Sequence, residues 1–338
     1  MKTKIIANIG PASKSPETIE ALIEAGLDTI RFNFGHGNHA EYAEWTKLIR
    51  EIGAKHNVHI RFLQDLSGPR IRVGKQPDGG RPIVVGQQYT FVRDGEQTDD
   101  TQITMTGVDL IGDVKPGERL LLTNGLMTLK IDEVTDKSIV ATCVNGGVLQ
   151  NNKAINVPDS TLSSSVLTDK DKADLAFGIE QGYDFIGLSF VQNAADIEEL
   201  RKLITDKQQI VAKVERLSAV KHIDEIIKAS DLVMIARGDL GAEVPIEDVP
   251  FIQKEIITKS RYAHKPTITA TQFLTSMIEN PIPTRAEVSD IANAVLDGTS
   301  AVWLSDETAI GKYPVEAFKV MKRVVERSEE FLATHHAI

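Results

Sequence analysis

Val211-Ala-Lys-Val-Glu-Arg216 reads as the end of a buried β-strand, because a continuous apolar run turns charged within a few residues. Further along the chain, Ala236-Arg-Gly-Asp-Leu-Gly241 has the same form. Lys213 and Glu215 are two positions apart on one strand and therefore share a face. If the two strands are neighbours, Asp239 joins them. A lysine with two carboxylates is typical of a metal and phosphate site, since phosphoryl transfer needs charge neutralisation and positioning.

The composition is that of a globular protein with ample length for a full core. The 338 residues are 41% hydrophobic and 25% charged, and the formal net charge is −10. This acidity argues against a nucleic-acid partner, which would need a basic face. The single cysteine, Cys143, excludes an intrachain disulfide. We expect no signal peptide, because the apolar part of residues 1–10 is too short for one, and no membrane span, because no run approaches the roughly 18 apolar residues that it needs. We therefore expect a cytoplasmic protein without a membrane partner.

Short apolar, β-branched runs alternate with amphipathic helical stretches along most of the chain. We predict strands at 4–9, 28–34, 59–65, 184–190, 209–215, 231–236, 267–271 and 301–304, and helices at 16–25, 39–56, 169–181, 194–204, 217–229, 249–263, 286–296 and 315–333. Ser15 is the predicted N-cap of the first helix, with Pro16 at its first position. Eight βα units favour a (β/α)8 TIM barrel over an open doubly wound sheet.

The alternation stops between Arg72 and Ser160. Strands there are short, turn signals such as Pro77-Asp78-Gly79-Gly80 and Asn145-Gly146-Gly147 are dense, and no long helical period occurs. This pattern predicts a small all-β domain inserted after barrel strand 3. The predicted domains are a barrel of residues 1–71 and 160–338 and an inserted β-barrel of residues 72–159. We expect the insert to act as a lid that excludes water.

Polar residues stand at the carboxyl ends of the predicted strands, where (β/α)8 barrels carry their functional residues. In strand order these ends are residues 8–13, 31–37, 65–72, 189–190, 213–215, 237–239, 269–272 and 305–307. A random scatter would have put many of these polar residues in helices. We therefore expect them to converge on one rim of the barrel.

The motifs at these ends resemble those of the pyruvate kinase family. The family pattern around the catalytic lysine is matched by IVAKVER, and further blocks follow in family order: RFNFGHG, DLSGPRIR, KAINVP, ARGDLGAEVP, TATQFLTSM, PIPTRAEVSDIANAVLDG and LSDETAIGKYP. The resemblance extends from Thr3 to Glu329, far beyond one short match. It implies a glycolytic enzyme that transfers the phosphoryl group of phosphoenolpyruvate to ADP, giving pyruvate and ATP.

The resemblance also implies roles for single residues in metal and phosphate binding. Glu215 and Asp239 would hold Mg²⁺ or Mn²⁺, hard ions that prefer oxygen ligands. Lys213 would stabilise the charge of the transferring phosphoryl group; the alternative is a plain salt bridge to Glu215. Arg31 would grip the phosphate of phosphoenolpyruvate, the alternative being an exposed arginine of the rim.

Further roles concern the substrate carboxylate and the nucleotide. Gly238 and Asp239 would offer backbone N–H groups to the carboxylate at the start of a short helix. Thr271 would contact the same carboxylate near the proton path to the enolate carbon. A turn glycine and an ordinary strand threonine are the alternatives. The nucleotide phosphates would be lined by Asn33, His36, Arg72 and the insert residue Lys153. Glu307, with Ser305, would orient the site.

The chain departs from the family at a potassium site. Family members commonly bind K⁺ beside the phosphate through an Asn, a Ser hydroxyl, an Asp and a backbone carbonyl. Here Asn33 and Asp65 are kept, but the Ser position is Gly35, and two positions often held by Thr and Glu are Leu66 and Arg70. Arg70 substitutes one positive charge for another beside an anionic substrate. We therefore expect activity that does not require K⁺.

Other departures leave two alternatives open. Asn124 replaces an Asp of the insert motif, and Asp306 replaces a Gly. We also expect the family's C-terminal α/β domain, of about a hundred residues, to be absent, and with it activation by a sugar bisphosphate. One alternative is a relative that acts on another enol phosphate or 2-oxo acid. The other is a non-catalytic regulator that binds phosphoenolpyruvate or a nucleotide, although the retained Lys213 argues against it. We expect a homo-oligomer, either a dimer or a tetramer.

Overall fold

Eight parallel strands close into a barrel in the computed structural model, which describes residues 2–96, 99 and 101–335. In chain order the strands are β1 Lys4–Asn8, β2 Thr29–Asn33, β3 Arg61–Asp65, β4 Ile71–Val73, β5 Arg81–Ile83, β6 Gln88–Arg93, β7 Gln102–Gly107, β8 Arg119–Leu122, β9 Met127–Val134, β10 Ser138–Asn145, β11 Gly147–Leu149, β12 Ile155–Asn156, β13 Phe185–Leu188, β14 Gln209–Val214, β15 Leu232–Ala236, β16 Thr267–Ala270 and β17 Ala301–Leu304. The barrel order is β1-β17-β16-β15-β14-β13-β3-β2. The predicted (β/α)8 TIM barrel is therefore confirmed.

The helices follow the barrel strands and largely match the predicted ranges. They are α1 Pro16–Ala25, α2 His39–Lys55, α3 Asp169–Glu180, α4 Ala194–Arg201, α5 Leu217–Lys221, α6 Ile223–Ala229, α7 Arg237–Glu243, α8 Val249–Tyr262, α9 Arg285–Asp297, α10 Asp306–Ala309 and α11 Pro314–Thr334. The predicted N-cap Ser15 is confirmed, since its side chain accepts a hydrogen bond from the N–H of Thr18. Across the described residues, no helix has the length and apolar character that crossing a membrane requires.

The single helix predicted over 217–229 is wrong, because the structure has two helices, α5 and α6, that meet at His222. The backbone of His222 leaves the helical region, with φ −107° and ψ 20°. Its Nδ1–H donates to the carbonyl oxygen of Gln192 at 3.1 Å and to that of Ser218 at 3.0 Å. A side chain that competes for backbone carbonyls in this way favours a break in the helix.

The alternation of side chains along β14 sets the orientation of the site. Ile210, Ala212 and Val214 pack against the helices outside the barrel. Val211 lies in a separate cluster with Met234 inside the barrel. Because alternate residues of a strand point to opposite faces, Lys213 continues the inner face and reaches the carboxyl end of the barrel.

The segment between β3 and α3 forms a second sheet, as predicted for the insert. Seven strands lie in the order β12-β8-β9-β10-β6-β7-β4, and β11 pairs with β5. The two end strands approach each other, since Arg72 forms an isolated bridge with Ala154 and the N–H of Val73 donates to the carbonyl of Lys153 at 2.9 Å. The sheet thus curls around its own apolar core, which includes Phe91.

The domain boundaries at 71/72 and 159/160 stay a prediction, although the strands of the insert run from Ile71 to Asn156. The predicted domain ranges also contain Met1, residues 97, 98 and 100 and residues 336–338, which lie outside the described residues.

Candidate active site

The carboxyl ends of the barrel strands surround a cavity of about 650 Å³. Most of the predicted site residues line it: Arg31, Asn33, His36, Asp65, Arg70, Lys213, Glu215, Asp239 and Thr271. These side chains come from strands that are distant in sequence. Closure of the barrel places the ends of these strands around one opening, as the strand-end rule predicts.

Lys213 is the centre of the charges in this cavity. Its Nζ lies 2.9 Å from Asp65 Oδ1 and 2.8 Å from Glu215 Oε1, and it donates to Ser189 Oγ at 2.7 Å. Burial alone would lower the pKa of Lys213, but the two carboxylates outweigh it and raise this pKa above its ordinary value. The ammonium group is therefore charged and held by three partners.

Asp65 links Lys213 to the second buried cation, Arg31. The Nε of Arg31 donates to Asp65 Oδ2 at 3.1 Å, and its Nη2 forms an ion pair with the same oxygen. Burial works to raise the pKa of Asp65, but the charges of Lys213 and Arg31 outweigh it and lower this pKa. The Arg31 guanidinium also lies 5.0 Å from the centroid of the Trp303 ring. Asp65 therefore stays ionised and holds both cations in place.

Glu215 and Asp239 form the carboxylate side of the cavity. Glu215 Oε2 accepts the backbone N–H of Phe190 at 2.7 Å. Burial raises the pKa of Glu215; Lys213 opposes this rise, and the nearby charge of Asp239 adds to it. The Asp239 carboxylate has no hydrogen bond or ion pair with another described residue. Two carboxylates on neighbouring strand ends, one without a partner, fit a hard divalent cation.

Thr271 is held in an uncommon backbone conformation beside these carboxylates. Its φ is +70°, which is rare for a β-branched residue. Its Oγ1 accepts the N–H of Gly238 at 2.8 Å, and its carbonyl accepts from Arg237 at 2.6 Å. Arg237 is fixed in turn by an ion pair with Asp290 at 2.7 Å. Together, these contacts hold Thr271 in its strained conformation, as is common for strained residues at functional sites.

The predicted nucleotide-binding residues are divided between two neighbouring cavities. Asn33 and His36 line the barrel cavity. Arg72 and Lys153 line a second cavity of about 430 Å³ between the insert and the barrel, which we call the junction cavity. Arg70, Asn124 and Asp239 line it too, and Arg70 and Asp239 belong to both cavities. Burial and the charges of Arg70, Arg72 and Arg31 lower the pKa of His36, so this imidazole is neutral at pH 7.

The residues of the predicted degenerate potassium site also separate into groups. A Cβ at Gly35 would lie 3.1 Å from Asn33 Oδ1 and 3.8 Å from Arg70 Nη2, so the guanidinium reaches the place beside Gly35. Asp65 instead faces Lys213 and Arg31. Leu66 is 1% exposed and packs in the apolar core. Asn33, Gly35 and Arg70 are therefore neighbours, and the leucine offers no side-chain oxygen to an ion.

Several residues of the site were not assigned a role from the sequence. Ser189 contacts Lys213, Arg237 supports Thr271, and Arg216 lines the junction cavity. Each has a sequence signal, because it stands at a predicted strand end or beside a motif residue.

Glu307 was expected to orient the site, and it accepts the N–H groups of Leu274 at 3.0 Å and Ser305 at 2.8 Å. The exposed Asp306 lines the barrel cavity.

Comparisons with known proteins agree with this geometry. The family model for the pyruvate kinase barrel domain matches residues 1–318. A pyruvate kinase of Agrobacterium vitis is 46% identical over 332 residues, which cover 97% of this chain and 68% of the relative. A pyruvate kinase of Geobacillus stearothermophilus is 45% identical over 337 residues, which cover 98% of this chain and 57% of the relative. A crystal structure of a pyruvate kinase from Cryptosporidium parvum superposes with a TM-score of 0.92 at 37% identity, over 97% of this chain and 69% of that chain.

The match to the Geobacillus stearothermophilus relative shows that this chain spans little more than half the length of some curated relatives. The comparisons confirm the predicted resemblance and the predicted enzyme class, a phosphotransferase of the pyruvate kinase type. Because the family model matches most of the sequence and the identities are high, the chain belongs to the pyruvate kinase family.

Proposed function

We propose that the protein is a pyruvate kinase, which transfers the phosphoryl group of phosphoenolpyruvate to ADP and yields pyruvate and ATP. The observation that carries the proposal is the buried, charged Lys213, held between Asp65 and Glu215 at the mouth of the barrel. A cation fixed in this way stabilises negative charge on a transferring phosphoryl group without reorganising during the reaction.

The substrate would lie between the two buried cations and Thr271. Arg31 and Lys213 bind the phosphate of phosphoenolpyruvate. Because Thr271 Oγ1 already accepts from Gly238, its own O–H is free to donate to the substrate carboxylate. We also propose that the backbone N–H groups of Gly238 and Asp239 contact the same carboxylate. The N–H of Gly238 would then be shared between this carboxylate and Thr271 Oγ1.

Glu215 and Asp239 would hold the divalent cation, Mg²⁺ or Mn²⁺. When bound, the cation supplies positive charge next to the enolate and carboxylate oxygens of the substrate. Lys213 and the N–H of Phe190 each bond one oxygen of Glu215, so the orientation of this carboxylate is set before a cation arrives. We expect removal of divalent cations with a chelator to abolish turnover.

The nucleotide phosphates would bind between the barrel and the insert. Asn33 and His36 contact them from the barrel, and Arg72 and Lys153 contact them from the insert. As the lid of this site, the insert would exclude water, which otherwise intercepts the phosphoryl group.

Activity would not require K⁺, because Arg70 places a guanidinium beside Gly35. We also propose that the protein works as a homo-oligomer in the cytoplasm.

The test is a coupled assay of pyruvate formation from phosphoenolpyruvate and ADP. We expect turnover that requires ADP and Mg²⁺ and proceeds without K⁺ at constant ionic strength. Binding of phosphoenolpyruvate with Mg²⁺ but no pyruvate formation would contradict the proposal and favour a non-catalytic binding protein. The retained buried charges of the barrel cavity weigh against that alternative.

A further inference from the structure

The helix α3 contacts two loops of the active site, although it lies outside the barrel cavity. We call residues 34–38, between β2 and α2, the β2 loop, and residues 66–70, between β3 and β4, the β3 loop. The β2 loop lines the cavity with His36 and Gly37, and the β3 loop lines it with Arg70. None of the described lining residues comes from α3. Any effect of α3 on the reaction must therefore pass through these loops.

One face of α3 holds the β2 loop at both of its ends. Lys170 Nζ donates to the carbonyl oxygen of Phe34, the first residue of the loop, at 2.7 Å, and it pairs with Asp174 Oδ2 at 2.5 Å. The other oxygen of Asp174 lies 2.7 Å from Nε2 of His39, the residue that follows the loop. The His39 ring stacks on Phe177 of α3, with ring centroids 4.4 Å apart. The spacing of Lys170, Asp174 and Phe177 places all three on one side of the helix.

Asp171, the next residue of the same turn, holds the β3 loop. Its Oδ1 accepts the backbone N–H groups of Ser67 at 2.9 Å and Gly68 at 3.2 Å. Its Oδ2 accepts the N–H of Thr168 at 3.0 Å, as part of the capping box of α3. The Asp171 residue is 0% exposed. Because a buried carboxylate needs donors for both oxygens, these contacts fix Asp171 and, with it, the backbone of the β3 loop.

The two loops meet at Gly35. A Cβ at this position would lie 3.5 Å from Ser67 Oγ and 3.8 Å from Arg70 Nη2. Arg70 Nε donates to the carbonyl oxygen of Ser67 at 3.4 Å. Since Asp171 holds the N–H of the same serine, it fixes the backbone to which the Arg70 guanidinium is bound. Gly35 and Gly37 give the β2 loop many accessible backbone conformations, so contacts at its ends are needed to select one.

We propose that Lys170 and Asp171 are positioning residues of the active site: Lys170 sets the place of the β2 loop, and Asp171 sets that of the β3 loop. This role rests on the proposed function, because it acts through His36 at the nucleotide phosphates and through Arg70 beside the substrate. Two neighbouring side chains of opposite charge thus bind a carbonyl of one loop and N–H groups of the other. A displacement of about 1 Å at a site of this kind can lower a rate about a hundredfold.

The first test compares Lys170→Met with Lys172→Met in the full chain, by steady-state kinetics and by titration calorimetry with ADP. Lys172 is an exposed lysine of the same helix turn and serves as the control. We expect Lys170→Met to raise the KM and the Kd of ADP about tenfold, because the loop that carries His36 loses one of its ties. The KM of phosphoenolpyruvate should stay near the wild-type value, since Arg31 and Lys213 are held from inside the barrel. Lys172→Met should change none of these constants.

Thermal unfolding and a conservative variant separate positioning from a purely structural role of Lys170. The Lys170 side chain is 59% exposed, so the Tm of Lys170→Met should stay near that of the wild type. Lys170→Arg keeps a charged donor for the Phe34 carbonyl and should restore most of the ADP affinity. A lower Tm with an unchanged KM of ADP in Lys170→Met would overturn the role of Lys170.

The second test compares Asp171→Ala with Thr168→Ala. Thr168→Ala removes the hydroxyl of the capping box and leaves the contacts of Asp171 with Ser67 and Gly68. Both variants should lower the Tm, but only Asp171→Ala should lower kcat/KM, by about tenfold or more. If Asp171→Ala does not fold, Asp171→Glu keeps both oxygens, displaces them by one methylene group, and should still lower kcat/KM. The same kcat/KM in the folded Asp171 variant and in Thr168→Ala would overturn the role of Asp171.

Amide hydrogen exchange tests the positioning without any reaction. Exchange in residues 34–38 should be faster in Lys170→Met than in the wild type or Lys172→Met, because a held loop opens less often. If the wild type forms no pyruvate, but Lys170→Met still shows faster exchange and weaker ADP binding, the proposed function fails and the positioning role stands. If the wild type forms pyruvate, but Lys170→Met matches it in exchange and in ADP affinity, the positioning role fails and the proposed function stands.

Discussion

Lys213 and Arg216 are equally buried, each 6% exposed, and they stand on the same stretch of chain, yet their surroundings are opposite. Lys213, at the barrel mouth, has two carboxylates and a hydroxyl within 3 Å. Arg216, at the junction cavity, has no hydrogen-bonding or ion-pair partner among the described residues. The barrel mouth thus compensates its charges through direct contacts, whereas Arg216 at the junction is influenced by the charges of Glu243, Glu215 and Asp196 without contacting them directly.

The difference follows from how each region is built. The partners of Lys213 stand at the end of β3 or directly after β13 and β14, and these three strands are hydrogen-bonded neighbours in one closed sheet. The walls of the junction cavity come from two sheets that are connected by the chain on either side of the insert. A closed sheet holds its charges at fixed distances, while the distance between two connected units can change when they close on a ligand.

The largest effect is expected from removing one of the two regions entirely. Deletion of residues 74–158 takes away the insert wall of the junction cavity and leaves the barrel strands in place. We expect pyruvate formation to fall below detection, because the nucleotide loses its lid and water enters. Circular dichroism and cooperative thermal unfolding check that the barrel remains folded. Turnover by the deletion variant would show that the barrel mouth catalyses the reaction without the insert, and it would contradict the role of the insert as a lid.

Lys213→Met removes the central cation of the barrel mouth and leaves the residues that line the junction cavity unchanged. We expect kcat to fall about a thousandfold, since the group that stabilises the phosphoryl charge is lost. The free energy of unfolding should fall by about 3 kcal/mol, because the buried carboxylates of Asp65 and Glu215 lose their shared cation. Steady-state kinetics and denaturant titration measure the two effects.

The control for this substitution is Lys254→Met, which removes a half-exposed lysine paired with Asp297. Both kcat and stability should stay near the wild-type values, since pairs of this kind contribute little. A similar loss of activity in the two variants would show that Lys213 has no special role.

Arg70 lines both cavities. Its substitution tests whether the positive charge of this guanidinium takes the place of K⁺. We expect the wild type to be stimulated by K⁺ less than about twofold, and Arg70→Glu to be stimulated more than about tenfold, because a positive charge has been removed. Adding Gly35→Ser should strengthen the K⁺ requirement by supplying a hydroxyl beside Asn33. The assay compares K⁺ with a tetramethylammonium salt at constant ionic strength. Stimulation of the wild type by more than tenfold would contradict the role of Arg70.

The smallest expected effect concerns His36, which lies near three arginines at the barrel cavity. Its pKa is lowered from 6.5, so below pH 6.5 the unfolded chain binds a proton that the folded protein does not. The free energy of unfolding should therefore decline as the pH falls below 6.5, until the folded protein is protonated too. His36→Gln should remove that part of the decline, less than about 1 kcal/mol after solvent screening. Identical pH profiles of the two proteins in denaturant titration would contradict the lowered pKa.

The sequence predicted the fold because its evidence is local. Apolar runs, helix caps such as Ser15, and turn glycines depend on neighbours within a few positions, and together they indicated eight βα units and an all-β insert. The charged residues after each apolar run also predicted which side chains meet at the rim, since all parallel strands end on the same side. The break at His222 was missed because one of the two carbonyls that its side chain contacts belongs to Gln192, which is distant in sequence.

By itself, then, the sequence determined the barrel, the place of the insert and the candidate residues of the mouth, because periodicity and strand-end position follow from chain geometry alone. Only the tertiary structure decided which of two buried cations, three positions apart in the chain, has hydrogen-bonding and ion-pair partners. Barrel closure brings Asp65 and Ser189 to Lys213. The approach of the insert forms a positively charged cavity around Arg216. Burial and pairing depend on every neighbouring element, so no local pattern records them.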